Sequence, residues 1–107
     1  MVEYHLPPTN FHLPPSQTAF ASAEEKGKYV TQVLDVATKA VAQADFNWGQ
    51  FLFAQAHAEY LVSLEGYMGL LKITQDDPAF QQYLKGQMNY LLDKVNLLLA
   101  TYVGLQV

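Results

Sequence analysis

The stretch "YLKGQMNYLLDKVNLLLATYVGL", residues 83–105, decides the fold class. Apolar side chains recur in it at alternating spacings of four and three residues, the a/d pattern with which an α-helix packs against other helices. This series, which we call the seam, consists of Leu84, Met88, Leu91, Val95, Leu98, Tyr102 and Leu105. More apolar residues flank it: Tyr83, Tyr90 and Leu97 on one side, Leu92 and Leu99 on the other. The pattern predicts a helix that is apolar over more than half of its circumference.

Start and stop signals delimit this helix and another one earlier in the chain. Asp77 followed by Pro78 is the preferred order for opening a helix, so the last helix is predicted over about residues 78–103. Gly104 offers a stop at its end. Ser22 with Glu25 forms a capping box, which predicts a first helix over about residues 23–44 with an alanine-rich apolar stripe.

The corner before the second helix is read from the sequence "DFNWGQF", residues 45–51. If Asn47 caps the helix, Gln50 completes a capping box, and Phe46 and Phe51 are placed to form a hydrophobic staple. The second helix is then predicted over about residues 48–72. We expect Glu59, Glu65, Asp35 and Asp93 to lie on the polar faces of the helices, in contact with water.

The first 21 residues differ in kind from the rest. They hold four of the five prolines and the tetrapeptide HLPP twice, at residues 5–8 and 12–15. Proline disfavours helical geometry at its own position and at the residue before it. We therefore predict an extended arm over residues 1–21, with polyproline geometry at both units. At that geometry the units lie roughly 22 Å apart. Leu6, Phe11 and Leu13 make the arm apolar enough to dock along a groove, on its own domain or on a neighbour.

The fold prediction is therefore all-α: an antiparallel three-helix bundle over residues 22–107 with an extended, proline-rich N-terminal arm. Gly66 and Gly69 interrupt the second helix, where each costs about 1 kcal/mol relative to alanine. A close helix crossing or a groove over these glycines would offset that cost, and a bent or frayed helix is the equally weighted alternative.

Composition excludes several classes of function. The net charge is −4 and all six basic residues are lysines, so a nucleic-acid partner and an anionic membrane surface are not expected. Cysteine is absent, which excludes disulfides and thiolate chemistry. No signal peptide or membrane-spanning run is recognised. We expect the protein to be cytoplasmic or to lie within a particle.

No residue pattern indicates catalysis. A helical di-metal site needs a glutamate three residues before its histidine, whereas Ala54 precedes His57 in that position. His5 and His12 recur with HLPP and are interpreted as polar spacers. No nucleophile motif or phosphate-binding glycine loop is present. We expect no enzymatic activity, no cofactor and no metal.

Half of the residues are hydrophobic and only 15% are charged, so a bundle of this size has too few charged side chains to cover its surface. The predicted function is a non-enzymatic assembly subunit of a particle or filament, such as a virion, that associates as a homo-oligomer or with a helical protein partner. The predicted interface comprises Leu6, Phe11, Leu13, Tyr83, Tyr90, Leu92, Leu97, Leu99, Tyr102 and Leu105.

Two alternatives stay open. The corner "DFNW" and the sequence "YLLDK" at residues 90–94 make residues 24–103 resemble a microtubule-interacting-and-transport domain. That resemblance implies a monomeric adaptor that binds short helical peptides in a groove between its second and third helices. The sequence departs from the resemblance at residues 95 and 96, where valine and asparagine stand in place of an acidic residue. A third possibility is a helical bundle that binds a small ligand beneath the aromatic face of the second helix.

Overall fold

The computed structural model describes residues 5–103, and side chains as far as residue 101. Its helices are α1 (Ala23–Gly49), α2 (Phe53–Ile73) and α3 (Pro78–Leu98), and a π-helical turn (Leu99–Val103) follows α3. Between residues 5 and 103 there is no β-strand. The prediction of an all-helical chain with three helices is therefore confirmed.

Helix α2 is the central element of the bundle. Helices α1 and α3 each pack closely against it, and they approach each other less closely. Asn47 near the end of α1 contacts Glu59 near the start of α2, whereas Ala37 is paired with Ser63 further along. These pairings run in opposite directions along the two helices, so α1 and α2 are antiparallel.

The predicted apolar stripe of α1 forms one wall of the core. Val33, Ala37, Ala40 and Ala44 are buried at spacings of four and three. The next position in that series is Asn47, which is also buried. Small side chains on α1 let the backbones of α1 and α2 come close together, since little volume separates them.

Helix α2 is buried on two faces because it lies between two neighbours. The aromatic face predicted from its sequence supplies Tyr60 and Tyr67, both almost fully buried. A second buried face, which the apolar pattern did not indicate, carries Ala56, Glu59, Ser63, Gly66 and Leu70. Most of its members are small or polar, so a search for apolar periodicity passes over them.

The α1–α2 corner is different from the prediction, which was wrong about Asn47. Helix α1 continues past Ala44 to Gly49, and Asn47 is an internal residue of that helix rather than the N-cap of α2. The Leu52 amide donates to the Asn47 carbonyl (2.9 Å), and the Phe51 amide donates to the Trp48 carbonyl (3.0 Å). This pair of bonds defines a Schellman motif. Its left-handed residue is Phe51, with φ of 63°.

Helix α3 begins as predicted, with the Asp77 side chain accepting from the Phe80 amide at 3.1 Å. Of the predicted seam, Leu84, Leu91 and Leu98 are fully buried, Val95 is nearly so, and Met88 packs against the core. The side chain of Tyr102 and the whole of Gly104 and Leu105 lie outside the described residues.

Candidate functional site

Several contacts connect residues 8–20 of the arm to α1 and α2. Near one end of α2, the Gln55 side-chain amide donates to the Pro8 carbonyl at 3.3 Å. Leu13 packs against the hydrophobic core. Further on, the Gln17 amide donates to the Tyr29 hydroxyl at 3.2 Å, and the rings of Phe20 and Tyr29 lie 5.4 Å apart.

A groove of about 340 Å³ lies beside Leu13 and Pro14 of the arm. The walls come from α1, α2 and the arm itself, and include Leu13, Pro14, Tyr29, Leu61, Met68 and Gly69. The peptide-binding adaptor was predicted to have its groove between the second and third helices, whereas this one lies on the α1 side of α2.

The two glycines of α2 have separate surroundings. Helix α2 is continuous through both of them, so the frayed alternative is wrong. A Cβ added at Gly66 would lie 3.2 Å from Leu13 Cδ2 and 3.3 Å from Ala37 Cβ. At Gly69 an added Cβ would meet nothing within 4 Å. Gly66 is therefore a point of close approach for both α1 and the arm, whereas Gly69 faces open space.

The carboxyl group of Glu59 is buried between α1 and α2, contrary to the prediction that it faces water. The residue is only 3% exposed. Asn47 Nδ2 donates to Glu59 Oε1 at 2.7 Å, and Gln55 Nε2 donates to Glu59 Oε2 at 3.3 Å. None of the ion pairs found between described residues includes Glu59. Neutral amides thus satisfy this carboxyl group, and Gln55 also links it to the arm.

The other three carboxylates predicted on polar faces, Asp35, Glu65 and Asp93, are exposed as expected. Asp35 pairs with Lys39 one helical turn later, at 3.0 Å. Such exposed pairs contribute at most a few tenths of a kcal/mol. All three carboxylates are thus ordinary surface groups.

A second polar cluster joins all three helices around Asp45. The hydroxyls of Tyr60 on α2 and Tyr90 on α3 both donate to the Asp45 carboxylate. Burial, followed by the hydrogen bond to Asp45, raises the pKa of Tyr60 and that of Tyr90 above the usual value of 10. These phenols are therefore held as neutral donors.

Lys94 and Trp48 close the same end of the bundle. The Lys94 ammonium lies 5.2 Å from the centre of the Trp48 ring and 5.6 Å from that of Tyr90. A lysine over two rings gains a modest cation–π attraction, which ties α3 to the end of α1. Asp45, the two phenols and Lys94 therefore connect all three helices at this end of the bundle.

His57 is buried in α2, and desolvation lowers the pKa of its imidazole below 6.5. Within residues 5–103, no group of three or more histidine, cysteine, aspartate or glutamate side chains is arranged to hold a metal ion. His5 and His12 are exposed and lie in the arm.

The predicted interface residues of α3 are exposed on both flanks of the buried seam. Tyr83, Tyr90, Leu92, Leu97 and Leu99 retain between 37% and 53% of their surface. In the arm, Leu6 is exposed, whereas Phe11 and Leu13 are half-buried, and Leu13 packs against the hydrophobic core. Leu6 and the described residues of the predicted set from Tyr83 to Leu99 therefore face solvent, whereas Phe11 and Leu13 are partly covered.

One exposed apolar surface was missed by the sequence reasoning. Phe46, Phe51 and Leu52 project from the α1–α2 corner, with Phe51 79% exposed. The rings of Phe51 and Phe53 are nearly perpendicular, with their centres 6.0 Å apart. The predicted staple between Phe46 and Phe51 would have buried both rings. Hydrophobicity alone gives no sign that a phenylalanine of this corner faces water.

Comparisons with protein-family models, curated proteins and solved structures find no match to this chain. Among the helices of the described part, none combines the length and apolar character that crossing a bilayer requires.

Proposed function

We propose that the chain is a non-enzymatic structural subunit that associates with copies of itself through α3 and the N-terminal arm. The observation that carries this proposal is the double row of exposed apolar side chains on α3 and at the start of the π-helical turn that follows it. Tyr83, Tyr90 and Leu97 repeat every seven residues on one flank, and Leu92 and Leu99 do so on the other.

These side chains are placed as a helix–helix interface requires. A residue that repeats every seven positions stays on one side of a helix, so each flank presents a continuous apolar strip to a neighbouring helix. Tyrosine and leucine in such strips bury large areas when a partner covers them. Only Lys85, Asp93 and Lys94 carry charge on α3, so association would desolvate few ions.

The arm supplies the second contact in this proposal. It already lies on the α1–α2 surface of its own chain through Pro8, Leu13 and Gln17. Restricted polyproline segments lose little conformational entropy on docking. A copy placed against α3 could engage the exposed part of the arm near Leu6 without first ordering a flexible chain.

The test is the mass of the full chain in solution, measured by sedimentation velocity over a wide concentration range. We expect association in the native chain and its loss in the double variant Leu92→Glu/Leu99→Glu, which places charge on one exposed strip. Because both leucines face solvent, the variant should keep its helix content. The matched control, Gln82→Glu/Asn89→Glu, adds the same two charges at exposed positions of α3 and should associate normally.

Two results would contradict the proposal. A concentration-independent monomer for the native chain would remove self-association altogether. Equal association of the double variant and the control would show that the α3 flank is not the contact.

A monomeric peptide-binding adaptor is the second candidate, and the groove beside Gly66 and Gly69 favours it. There the chain's own Leu13 and Pro14 form one wall, as an apolar peptide ligand would. A native chain that is monomeric and binds apolar peptides would support the adaptor.

A further inference from the structure

The arm contains the same tetrapeptide twice, but the two copies are in different surroundings. In residues 12–15, Leu13 packs against the core and touches the position of Gly66. In residues 5–8, Leu6 is 45% exposed. One unit is seated and its duplicate presents its leucine to solvent.

The seat for Leu13 is shaped by the lack of a side chain at Gly66. The methyl group Cδ2 of Leu13 lies 3.2 Å from where a Cβ would be. A Cβ at this position would lie closer to the leucine than ordinary van der Waals contact allows. Val33 and Ala37 of α1 border the same point, so the seat is a small apolar notch between two helices and is matched to a leucine followed by prolines.

The first unit is held away from that notch in its own chain. The Pro8 carbonyl accepts from Gln55, which precedes Gly66 by eleven positions on α2, or about 17 Å along the helix. For Leu6 to reach its own Gly66, this bond must break and the residues after Pro8 must bulge away from the bundle. No such rearrangement is needed to reach the notch of a second copy.

We infer that the Gly66 notch is a binding site for the Leu-Pro-Pro sequence, and that its second ligand is the first HLPP unit, residues 5–8, of another copy of this chain. The inference deepens the proposed self-association and rests on it, because it names the contact that the arm makes. Open space beside Leu13, the groove of about 340 Å³, lets an incoming unit enter before the resident leucine leaves.

Competition between the two units follows from their identity. The resident unit is tethered to its own notch, so it is favoured at low protein concentration. Weakening it should favour the incoming unit. Leu13→Ala does this, since it removes most of the apolar surface that holds the resident unit and leaves Gly66 unchanged.

The experiment uses the full-length chain and a fluorescently labelled peptide, "YHLPPTNF", which corresponds to residues 4–11. Fluorescence anisotropy should show that the peptide binds the Leu13→Ala chain about tenfold more tightly than the native chain, the equivalent of one leucine anchor. A peptide carrying Leu6→Ala should lose about the same factor. Adding Gly66→Ala to the Leu13→Ala chain should weaken binding, whereas adding Gly86→Ala, at an open position on α3, should leave it unchanged.

Equal binding of the two peptides, equal binding to the native and Leu13→Ala chains, or no binding to the Leu13→Ala chain would each overturn the inference. Far-UV circular dichroism of the two glycine variants shows whether they fold, and the peptide variant tests the notch without changing the protein. Peptide binding does not depend on α3. If the native chain is monomeric and binds the peptide as expected, the notch is a binding site but the proposed self-association is refuted. If the chain associates but does not bind the peptide, self-association is supported and the notch is refuted as a binding site.

Discussion

The substitution Asn47→Asp tests the buried contact between α1 and α2 with almost no change in shape. It replaces the Nδ2 donor, 2.7 Å from Glu59 Oε1, with a carboxylate oxygen. Two negative oxygens at that distance repel by about 6 kcal/mol at an effective dielectric constant of about 20. Taking up a proton relieves the repulsion. At pH 7 this costs a carboxyl group with an ordinary pKa near 4 about 4 kcal/mol, so protonation sets the upper limit.

We therefore expect Asn47→Asp to lower the free energy of unfolding by up to about 4 kcal/mol at pH 7. The loss should shrink by about 1.4 kcal/mol for each unit that the pH falls towards 4.5, because the shared proton becomes easier to acquire. Urea unfolding followed by far-UV circular dichroism measures both quantities. In the double variant Asn47→Asp/Glu59→Gln, the donor and acceptor exchange places, and most of the lost stability should return.

Gln50→Glu is the matched control, since it adds the same charge at the exposed end of α1. Its effect should be no more than about 1 kcal/mol, from the negative end of the helix dipole. The reasoning is refuted if Asn47→Asp costs no more than this control at pH 7, or if its cost does not depend on pH.

The other predictions are measured by the same urea unfolding. Phe51→Gly should raise the free energy of unfolding by about 1 kcal/mol, because a left-handed φ strains every residue except glycine; no gain over Phe51→Ala would show that the corner is unstrained. Gly69→Ala should stabilise the protein by up to about 1 kcal/mol through helix propensity. Gly66→Ala should give no such gain in stability, because its Cβ meets Leu13 and Ala37. Equal gains at both positions would show that Gly66 is not a point of close approach. Burial lowers the pKa of His57 in the folded state, so the unfolded state binds more protons below pH 6.5. Stability should therefore fall as the pH drops from 6.5 to 5, by at most about 1.4 kcal/mol per unit, and His57→Gln should flatten that slope. An unchanged slope in this variant would mean that His57 titrates alike in both states.

Residues that interact with their sequence neighbours were predictable. The Asp77 and Ser22 side chains each accept a hydrogen bond from the backbone amide three residues later. Such local bonds depend little on the rest of the fold. The seam of α3 was predictable for a related reason. Leucines at four-three spacing must face a neighbouring helix, whichever helix that is.

Residues whose role depends on a distant partner were misassigned. Asn47 is of a residue type that often caps helices, but its hydrogen-bond partner, Glu59, is twelve positions away on another helix. A sign of this was present, because Asn47 extends the four-three series of Val33, Ala37, Ala40 and Ala44 by one step. The preference of asparagine for capping positions outweighed that spacing in the prediction.

By itself the sequence determined the helical class, the starts of α1 and α3 and the buried seam, since each follows from periodicity or from bonds within a few residues. Only the tertiary structure decided that α2 lies in the centre. That position buries a face made of Glu59, Ser63 and Gly66, and it turns a glycine into the seat for Leu13. Which faces of a helix are buried depends on which helices pack against it. Those contacts join residues far apart in sequence and form only when the chain folds.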